Sequence, residues 1–197
     1  MKFITMVIFL SLFAGHIEVE AKSVSEKYER TNYDEAKKAT PYLKFTGTST
    51  KFGLVSTEFD GYAKNFDIQY VYDEKQQSLQ SITLSIQTIS LDTDNSSRNE
   101  KLHTKCLAEN ETKKVVAKST APIKLALGEN LETVVKMTAN NKEIQIPLKY
   151  HVEKTAEGFQ VKLTGDFSFK DAGINDPSIA IAKLEEKIKI EGIIHLK

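Results

Sequence analysis

Apolar side chains recur at every second position through most of the chain from residue 42 onward. Ile82, Leu84 and Ile86 alternate with polar neighbours. The same alternation returns over residues 123–127, 144–152, 159–169 and 188–196. Successive side chains of a β-strand point to opposite faces of a sheet, so the pattern predicts strands with one apolar face and one polar face. About eight such runs predict an all-β protein.

Short polar turn sequences separate these runs, at residues 73–75, 140–141 and 157–158. They leave no room for the helices that parallel strands need between them, so we expect an antiparallel meander. Its strands form either a barrel or a sandwich. Gly165 and Gly192 lie within predicted strands, where glycine often marks a bulge or a sharp bend. Such bends help a sheet to close on itself, which favours the barrel.

Three segments lack this alternation. Residues 94–107 begin with capping residues followed by Glu100, and predict a short helix. Residues 176–185 predict a second short helix or an irregular crossover. Residues 22–41 are polar and charged, and predict a short surface helix or a mobile arm that ends at Pro41. We therefore expect one or two short helices beside the strands.

The first residues have the composition of an export signal. Lys2 precedes an apolar run over residues 3–14, which is too short to cross a bilayer comfortably. We expect cleavage after Ala21. A membrane anchor and a first core strand are the alternatives, but no basic stop-transfer sequence follows the apolar run. The sequence thus predicts a secreted or periplasmic protein with three segments: a signal peptide (1–21), a polar N-terminal arm (22–41) and a barrel domain (42–197).

Composition adds two constraints. Cys106 is the only cysteine, so an intramolecular disulfide is impossible and the hydrophobic core must hold the fold. That fits an exported bacterial protein better than a small extracellular eukaryotic one. The 27 basic and 27 acidic residues balance, so the chain has no bulk attraction to nucleic acid or to an anionic membrane. We predict no nucleic-acid partner and no stable membrane insertion once the signal is removed.

The sequence contains no recognisable catalytic motif. His103, His151 and His195 do not have the spacings of a metal site, and we predict none. Nucleophile elbows and phosphate-binding loops are also absent. Cys106, three residues after His103, is the one candidate thiol nucleophile, and the alternative is a partly buried cysteine that packs as a small hydrophobe. We therefore predict that the protein is not an enzyme.

The segment from Ser85 to Ser119 resembles the YceI-like family. In that family a strand ends in threonine and is followed by an Arg-Asp-x-x-Leu helix, and Thr93, Arg98 and Leu102 occupy the matching places. The order of the later strands is also similar, so the resemblance covers residues 42–196. Two departures concern the helix: Asn99 stands where aspartate usually follows the arginine, and Cys106 with Leu107 stands where aromatic residues are common.

The resemblance implies a lipocalin-like antiparallel barrel in the bacterial periplasm. Members of this family hold a long polyisoprenoid or a similar amphiphile, such as a quinone-type lipid, in an elongated apolar cavity. It also implies a possible homodimer and no cofactor other than such a lipid. On this basis the inward residues would line the cavity, with Arg98 and Leu102 at its mouth: Phe45, Phe59, Ile82, Leu84, Ile86, Leu125, Ile146, Leu148, Phe159, Val161, Leu163, Phe167, Ile188 and Ile190.

The same inward residues are equally compatible with a dry core. A barrel of about eight strands has an interior that side chains fill or that holds one slender ligand, and the sequence does not choose between them. The rival hypothesis is therefore a non-catalytic structural or interaction module of the envelope. Its barrel or sandwich core would be fully packed.

Overall fold

A computed structural model describes residues 21–197. The predicted signal peptide, except for Ala21, lies outside the described residues. Two short helices are present, α1 (Tyr33–Lys38) and α2 (Ser96–Lys101). The strands are β1 (Lys22–Tyr28), β2 (Tyr42–Lys51), β3 (Val55–Ala63), β4 (Phe66–Asp73), β5 (Ser78–Gln87), β6 (Leu91–Asp92), β7 (Lys114–Ser119), β8 (Ile123–Lys124), β9 (Asn130–Ala139), β10 (Lys142–Thr155), β11 (Gly158–Ser168), β12 (Ala182–Leu184) and β13 (Lys187–Leu196).

All the strands belong to one antiparallel sheet with the order β1-β4-β5-β7-β9-β10-β11-β13-β2-β3-β6, while β8 pairs with β5 and β12 with β2. Seven strands separate β3 from β4 in this order, yet only residues 64–65 join them along the chain. The sheet must therefore curl until its two edges meet. This confirms the predicted all-β, barrel-like fold.

The strand count exceeds the predicted eight. The 13 strands include β6, β8 and β12, which have two or three residues each and are too short to show a period. These strands form through hydrogen bonds to longer neighbouring strands. The alternation of residues along the sequence does not indicate such pairing.

Residues 22–41 contain the expected short helix, and also a strand that the sequence did not predict. The Asn32 side chain accepts a hydrogen bond from the Glu35 N–H at 3.0 Å and starts α1. Before it, β1 pairs with β4 from Lys22 opposite Tyr72 to Tyr28 opposite Phe66. Its apolar positions are too few to reveal a period.

Gly165 and Gly192 do not mark bulges. The pairing of β11 with β13 runs through both positions without a shift in register, whereas the β4–β5 ladder shifts between Val71 and Tyr72. A Cβ on Gly165 would lie 2.6 Å from Leu148 Cδ2 and 2.9 Å from the Pro147 carbonyl oxygen. Close packing against the neighbouring strand requires glycine there, so the prediction of a bulge at these positions is wrong.

The two non-strand segments lie at one end of the barrel. Helix α2 runs into a π-helical turn over Leu102–Cys106, as the sequence predicted for a short helix in this segment. Residues 176–184 form an irregular crossover whose last three residues pair with the end of β2. Asn140 ties this end together, because its side-chain amide donates to the carbonyl oxygens of Cys106 at 2.6 Å and Gly173 at 2.9 Å.

Candidate functional site

The curled sheet surrounds an apolar cavity of about 610 Å³. That volume lies within the usual range for sites that hold small molecules. Two clusters of buried apolar side chains flank the cavity, one centred on Ile68 and Leu125 and the other on Ile146 and Leu148. The barrel core is therefore not fully packed, and the rival hypothesis of a packed module loses its structural premise.

Every cavity residue predicted from the sequence lines this space except Phe159. Those on the wall are Phe45, Phe59, Ile82, Leu84, Ile86, Arg98, Leu102, Leu125, Ile146, Leu148, Val161, Leu163, Phe167, Ile188 and Ile190. Phe159 has the inward parity of its strand but lies beyond the closed end of the cavity. Its ring packs against Tyr72, with 6.0 Å between ring centroids, and under Lys154 Nζ at 4.2 Å. Contact with a ligand remains a prediction for all of these residues.

Sequence reasoning missed part of the wall. In β9, Val135 and Met137 face the cavity from inward positions, and an alternation of apolar residues there would have revealed them. Val115 and Ala117 come from β7, whose six residues are too few for a clear period. Cys106 and the neighbouring Leu107 reach the cavity only because the π-helical turn folds over the end of the barrel.

One end of the cavity is closed. Leu125 and Val152 are almost wholly buried there. The Tyr150 hydroxyl donates to the Lys124 carbonyl oxygen at 2.9 Å, and the Tyr70 hydroxyl donates to that of Lys197 at 3.1 Å. These bonds satisfy the polar tips of the rings, so their apolar bodies seal this end.

The opposite end is open and polar. The solvent-exposed residues of the lining there are Lys51 at the end of β2, Asn95 and Ser97 at the start of α2, and Ile179 in the crossover. The inward face of β2 changes from aromatic to polar toward this end, through Phe45, Ser49 and Lys51. A ligand in this cavity would therefore have an apolar body inside and its polar group at the mouth.

Arg98 is held at the mouth by three contacts. Its Nε donates to Thr93 Oγ1 at 2.9 Å and its Nη2 donates to the Thr93 carbonyl oxygen at 3.1 Å. The guanidinium carbon lies 4.2 Å from the centroid of the Phe59 ring, a cation–π contact. Burial lowers the pKa of Arg98, yet an arginine stays charged at neutral pH. Within residues 21–197 the guanidinium forms no ion pair with a carboxylate.

Asn99 makes three hydrogen bonds, and the last of them is one that an ionised aspartate could not make. Its Oδ1 accepts from the N–H of Thr93 at 2.9 Å and from its hydroxyl at 2.7 Å, while its Nδ2 donates to Asp92 Oδ1 at 2.8 Å. Burial alone would raise the pKa of Asp92, but hydrogen bonds from Asn99, the Asp94 N–H and Lys64 hold it below its ordinary value. Asparagine, where the family usually has aspartate, therefore supplies the hydrogen-bond donor that the Asp92 carboxylate accepts.

Within residues 21–197 the side chains of Cys106 and His103 form no hydrogen bond with each other. His103 Nε2 lies 2.9 Å from the Leu91 carbonyl oxygen, and burial raises the pKa of the Cys106 thiol to about 11. A thiol with that pKa is a poor nucleophile at neutral pH. The described residues contain no cluster of histidine, cysteine and acidic side chains suited to a metal ion. Among them there is also no helix with the length and apolar character needed to cross a bilayer.

Several solved structures of other proteins superpose on this fold. BcnA of Burkholderia cenocepacia superposes with a TM-score of 0.60 and 16% identity, over 82% of this chain and 98% of that one. A YCEI protein of Campylobacter jejuni gives 0.54 and 13%, over 85% and 99%. A polyisoprenoid-binding domain from Saccharophagus degradans, implicated in plant cell wall breakdown, gives 0.50 and 13%, over 77% and 90%.

At these identities the structural matches establish the fold alone. No curated protein matches the chain. The model of the YceI-like domain matches residues 15–195, which is nearly the full length. The chain therefore belongs to the YceI-like family.

Proposed function

We propose that this protein is a periplasmic carrier that holds a long-chain isoprenoid or a similar amphiphilic lipid inside its barrel. The observation that supports this most is the apolar cavity of about 610 Å³, closed at one end and open at a polar mouth. This shape suits a molecule with one long hydrocarbon chain and one polar end. The similar domain from Saccharophagus degradans is named as polyisoprenoid-binding, which supports the same class of ligand for this chain.

The energy of binding would come mainly from the chain. Each methylene transferred from water to an apolar wall contributes roughly 0.8 kcal/mol, so a long chain gains affinity from length rather than from specific polar contacts. The wall supplies branched and aromatic side chains from almost every long strand. We expect the protein to be tolerant of small changes in the polar group and sensitive to the length of the chain.

The mouth would position the polar end. Arg98, Ser97, Lys101 and Lys51 all line the cavity, and the bonds to Thr93 engage only Nε and Nη2 of the guanidinium. These donors suit a polar group rich in hydrogen-bond acceptors, such as a carbonyl, carboxylate or phosphate oxygen. No part of the proposed role requires a catalytic residue or a bound metal.

The periplasmic location in this proposal is supported by the predicted signal peptide over residues 1–21. A carrier is needed in that compartment because a long-chain lipid is nearly insoluble in the water between membranes. We also propose that the protein forms a homodimer, as the resemblance to the family implies. Light scattering on the purified protein decides it.

The direct test is extraction of bound lipid. Protein purified without added lipid is extracted into organic solvent and analysed by mass spectrometry. We expect about one long-chain amphiphile per cavity. A clean extract, together with no binding of long-chain fluorescent probes, contradicts the proposal.

A charge placed in the cavity should abolish loading. In the Leu84→Arg variant a guanidinium would face the apolar wall, where a charge without a partner is strongly disfavoured. We expect at least about a tenfold loss of bound lipid. Ser81→Arg is the matched control, since it is exposed on the same strand and should load normally. If folded Leu84→Arg, checked by circular dichroism, still carries lipid, the cavity is not the binding site.

A further inference from the structure

Five large apolar side chains are exposed together at the open end of the barrel. They are Phe52, Leu54 and Val55 in the β2–β3 hairpin and Ile179 and Ile181 in the crossover, with exposed fractions between 49% and 86%. We call these five residues the hydrophobic tip. The backbone joins its two halves, because the Phe52 N–H donates to the Ile181 carbonyl oxygen at 2.9 Å. A cluster of this kind on the surface of a folded domain marks an interaction surface.

The turn at the tip holds an aromatic residue in an unfavourable backbone conformation. Phe52 and Gly53 have φ values of 52° and 69°, and the Leu54 N–H donates to the Lys51 carbonyl oxygen at 3.0 Å. Asparagine and glycine are preferred at both central positions of such a turn, and a bulky residue is rare there. The Phe52 side chain is 72% exposed, so contacts within the described chain do not compensate for this conformation.

The tip is continuous with the mouth of the cavity. Lys51, Ile179 and Ala182 line the opening, and each is adjacent in sequence to a tip residue or belongs to the tip itself. An apolar path therefore runs from the outer surface of the protein into the barrel.

Charge around this opening favours an anionic surface. Lys51, Lys101 and Lys183 form no ion pair with another part of residues 21–197. Glu58 and Glu186, the acids at the adjoining strand ends, are neutralised by Lys189 at 2.8 Å and Lys170 at 3.0 Å. Glu185 accepts a bond from Thr50 and Asp176 accepts one from the Ser178 N–H at 2.8 Å, but these neutral donors leave negative charge on the rim, as does Asp94 beside the mouth. The attraction to an anionic surface therefore comes from Lys51 and Lys183, which lie within two residues of Phe52 and Ile181 in the tip.

We propose that the hydrophobic tip inserts shallowly into the surface of an anionic lipid bilayer and places the mouth of the cavity against it. The inference deepens the proposed function and rests on it, because a carrier must take its lipid from a membrane. A bilayer is the partner that meets apolar side chains and free lysines on one face. Docking is reversible, since five side chains bury too little apolar surface for a permanent anchor.

The first experiment measures binding to vesicles by flotation. Vesicles of phosphatidylcholine with about one-third phosphatidylglycerol are compared with pure phosphatidylcholine, since anionic lipid adds attraction for each nearby lysine. We expect the full mature protein to float with the anionic vesicles and less with the neutral ones. Recovery only in the soluble fraction for both compositions overturns the inference.

A double variant locates the contact. Phe52→Asn with Leu54→Ser removes two tip side chains and places asparagine where φ is positive, so the hairpin should keep its shape. We expect about a tenfold or greater fall in the vesicle-bound fraction. Ile89→Ser with Leu127→Ser is the matched control, because those two exposed side chains lie beside the far end of β3 and the closed end of the barrel. Equal loss in both variants overturns the inference.

Extraction of bound lipid from the same samples separates the two proposals. If the double variant carries lipid but does not float, both the cavity and the docking surface stand. If wild-type protein carries no lipid but floats through its tip, the proposed function fails and the docking surface remains.

The absence of tryptophan in the chain allows a second measurement. Phe52→Trp gives a single reporter at the tip, and Leu127→Trp gives one at the opposite end. With brominated lipids in the vesicles, we expect quenching at position 52 and none at position 127. A blue shift at position 52 without vesicles, together with a dimer in size-exclusion chromatography, would instead assign the tip to a second copy of this chain and overturn the membrane proposal.

Discussion

At the scale of single residues, the mouth of the cavity depends on a short hydrogen-bond chain from Arg98 through Thr93 and Asn99 to Asp92. Each side chain in it donates a hydrogen bond to the next one. The amide of Asn99 is the part of the chain that departs from the family pattern. It accepts from a hydroxyl on one side and donates to a carboxylate on the other, which an aspartate could do only if it were protonated.

Asn99→Asp should therefore destabilise the protein at neutral pH. The change replaces a donor with a second carboxylate near Asp92, and we expect a loss of about 1–3 kcal/mol in the free energy of unfolding at pH 7. In the wild type the lowered pKa of Asp92 contributes stability above the ordinary pKa of aspartate, which is lost as the pH falls through the folded value. In the variant, repulsion raises the pKa of the pair, so its deficit should shrink as the pH falls through that raised pKa toward about 4, the ordinary value of an aspartate.

Urea denaturation at pH 7 and at low pH measures this difference. Asn95→Asp is the control, because Asn95 caps α2 and aspartate caps a helix as well as asparagine does. The Asp92→Asn/Asn99→Asp exchange should recover part of the lost stability. A deficit that is independent of pH would show that Asn99 acts through packing rather than through charge.

At the scale of elements, β2 and β3 are locked by two reciprocal contacts between an aromatic ring and a glycine. Phe45 lies opposite Gly61 and Phe59 lies opposite Gly47 in the ladder. A Cβ added to Gly61 would lie 2.1 Å from Phe45 Cζ, and one added to Gly47 would lie 2.7 Å from Phe59 Cζ. Both rings line the cavity, so the glycines set how far the rings stand back from it.

Gly61→Ala should reduce lipid loading more than it reduces stability. The new methyl group meets the end of a side chain, and the Phe45 ring can turn away into the cavity and occupy space for a ligand. We expect at least a severalfold fall in bound lipid with a destabilisation of about 1–3 kcal/mol. Lipid extraction and urea denaturation of the same preparation measure the two effects.

Gly158→Ala is the contrasting variant. Its Cβ would lie 2.0 Å from the Leu196 carbonyl oxygen, and Gly158 has a φ of 145°. Backbone cannot turn aside as a ring can, so we expect a larger loss of stability there and normal loading of the protein that still folds. If Gly158→Ala lost more bound lipid than Gly61→Ala, this role of the β2–β3 contacts would be contradicted.

The strand pattern predicted this sheet well because parity is a local property. Alternation placed Ile82, Leu84 and Ile86 on the inner face, and the same rule carried through β10, β11 and β13. Parity gives the face on which a side chain lies but not its position along the barrel axis. It therefore assigns Phe159 to the cavity wall, although this residue lies past the closed end. Strands such as β1 and β12 depend on partners distant in sequence, and the mouth depends on a π-helical turn and a crossover with no periodic signal.

At the scale of the whole molecule, the barrel combines a sealed end with an open one and leaves an apolar space between two packed clusters. Such a space lowers stability, because the side chains around it lack the contacts of a filled core. A ligand that fills it binds only the folded state. Cargo and fold should therefore be thermodynamically linked.

Removal of bound lipid should lower the melting temperature. At a free ligand concentration of about 100 times Kd, binding stabilises the folded state by roughly 2.7 kcal/mol. For a chain of this length each kcal/mol corresponds to about 2–4 °C, so we expect a fall of roughly 5–10 °C after delipidation, measured by calorimetry, and its recovery when the extracted lipid is returned. Leu84→Arg provides the control, since its cavity wall carries a charge and its melting temperature should not respond to lipid. A wild-type protein that melts at one temperature with and without its extract would show that the cavity is not where the lipid binds, because no occupant of that space can leave the stability of the barrel unchanged.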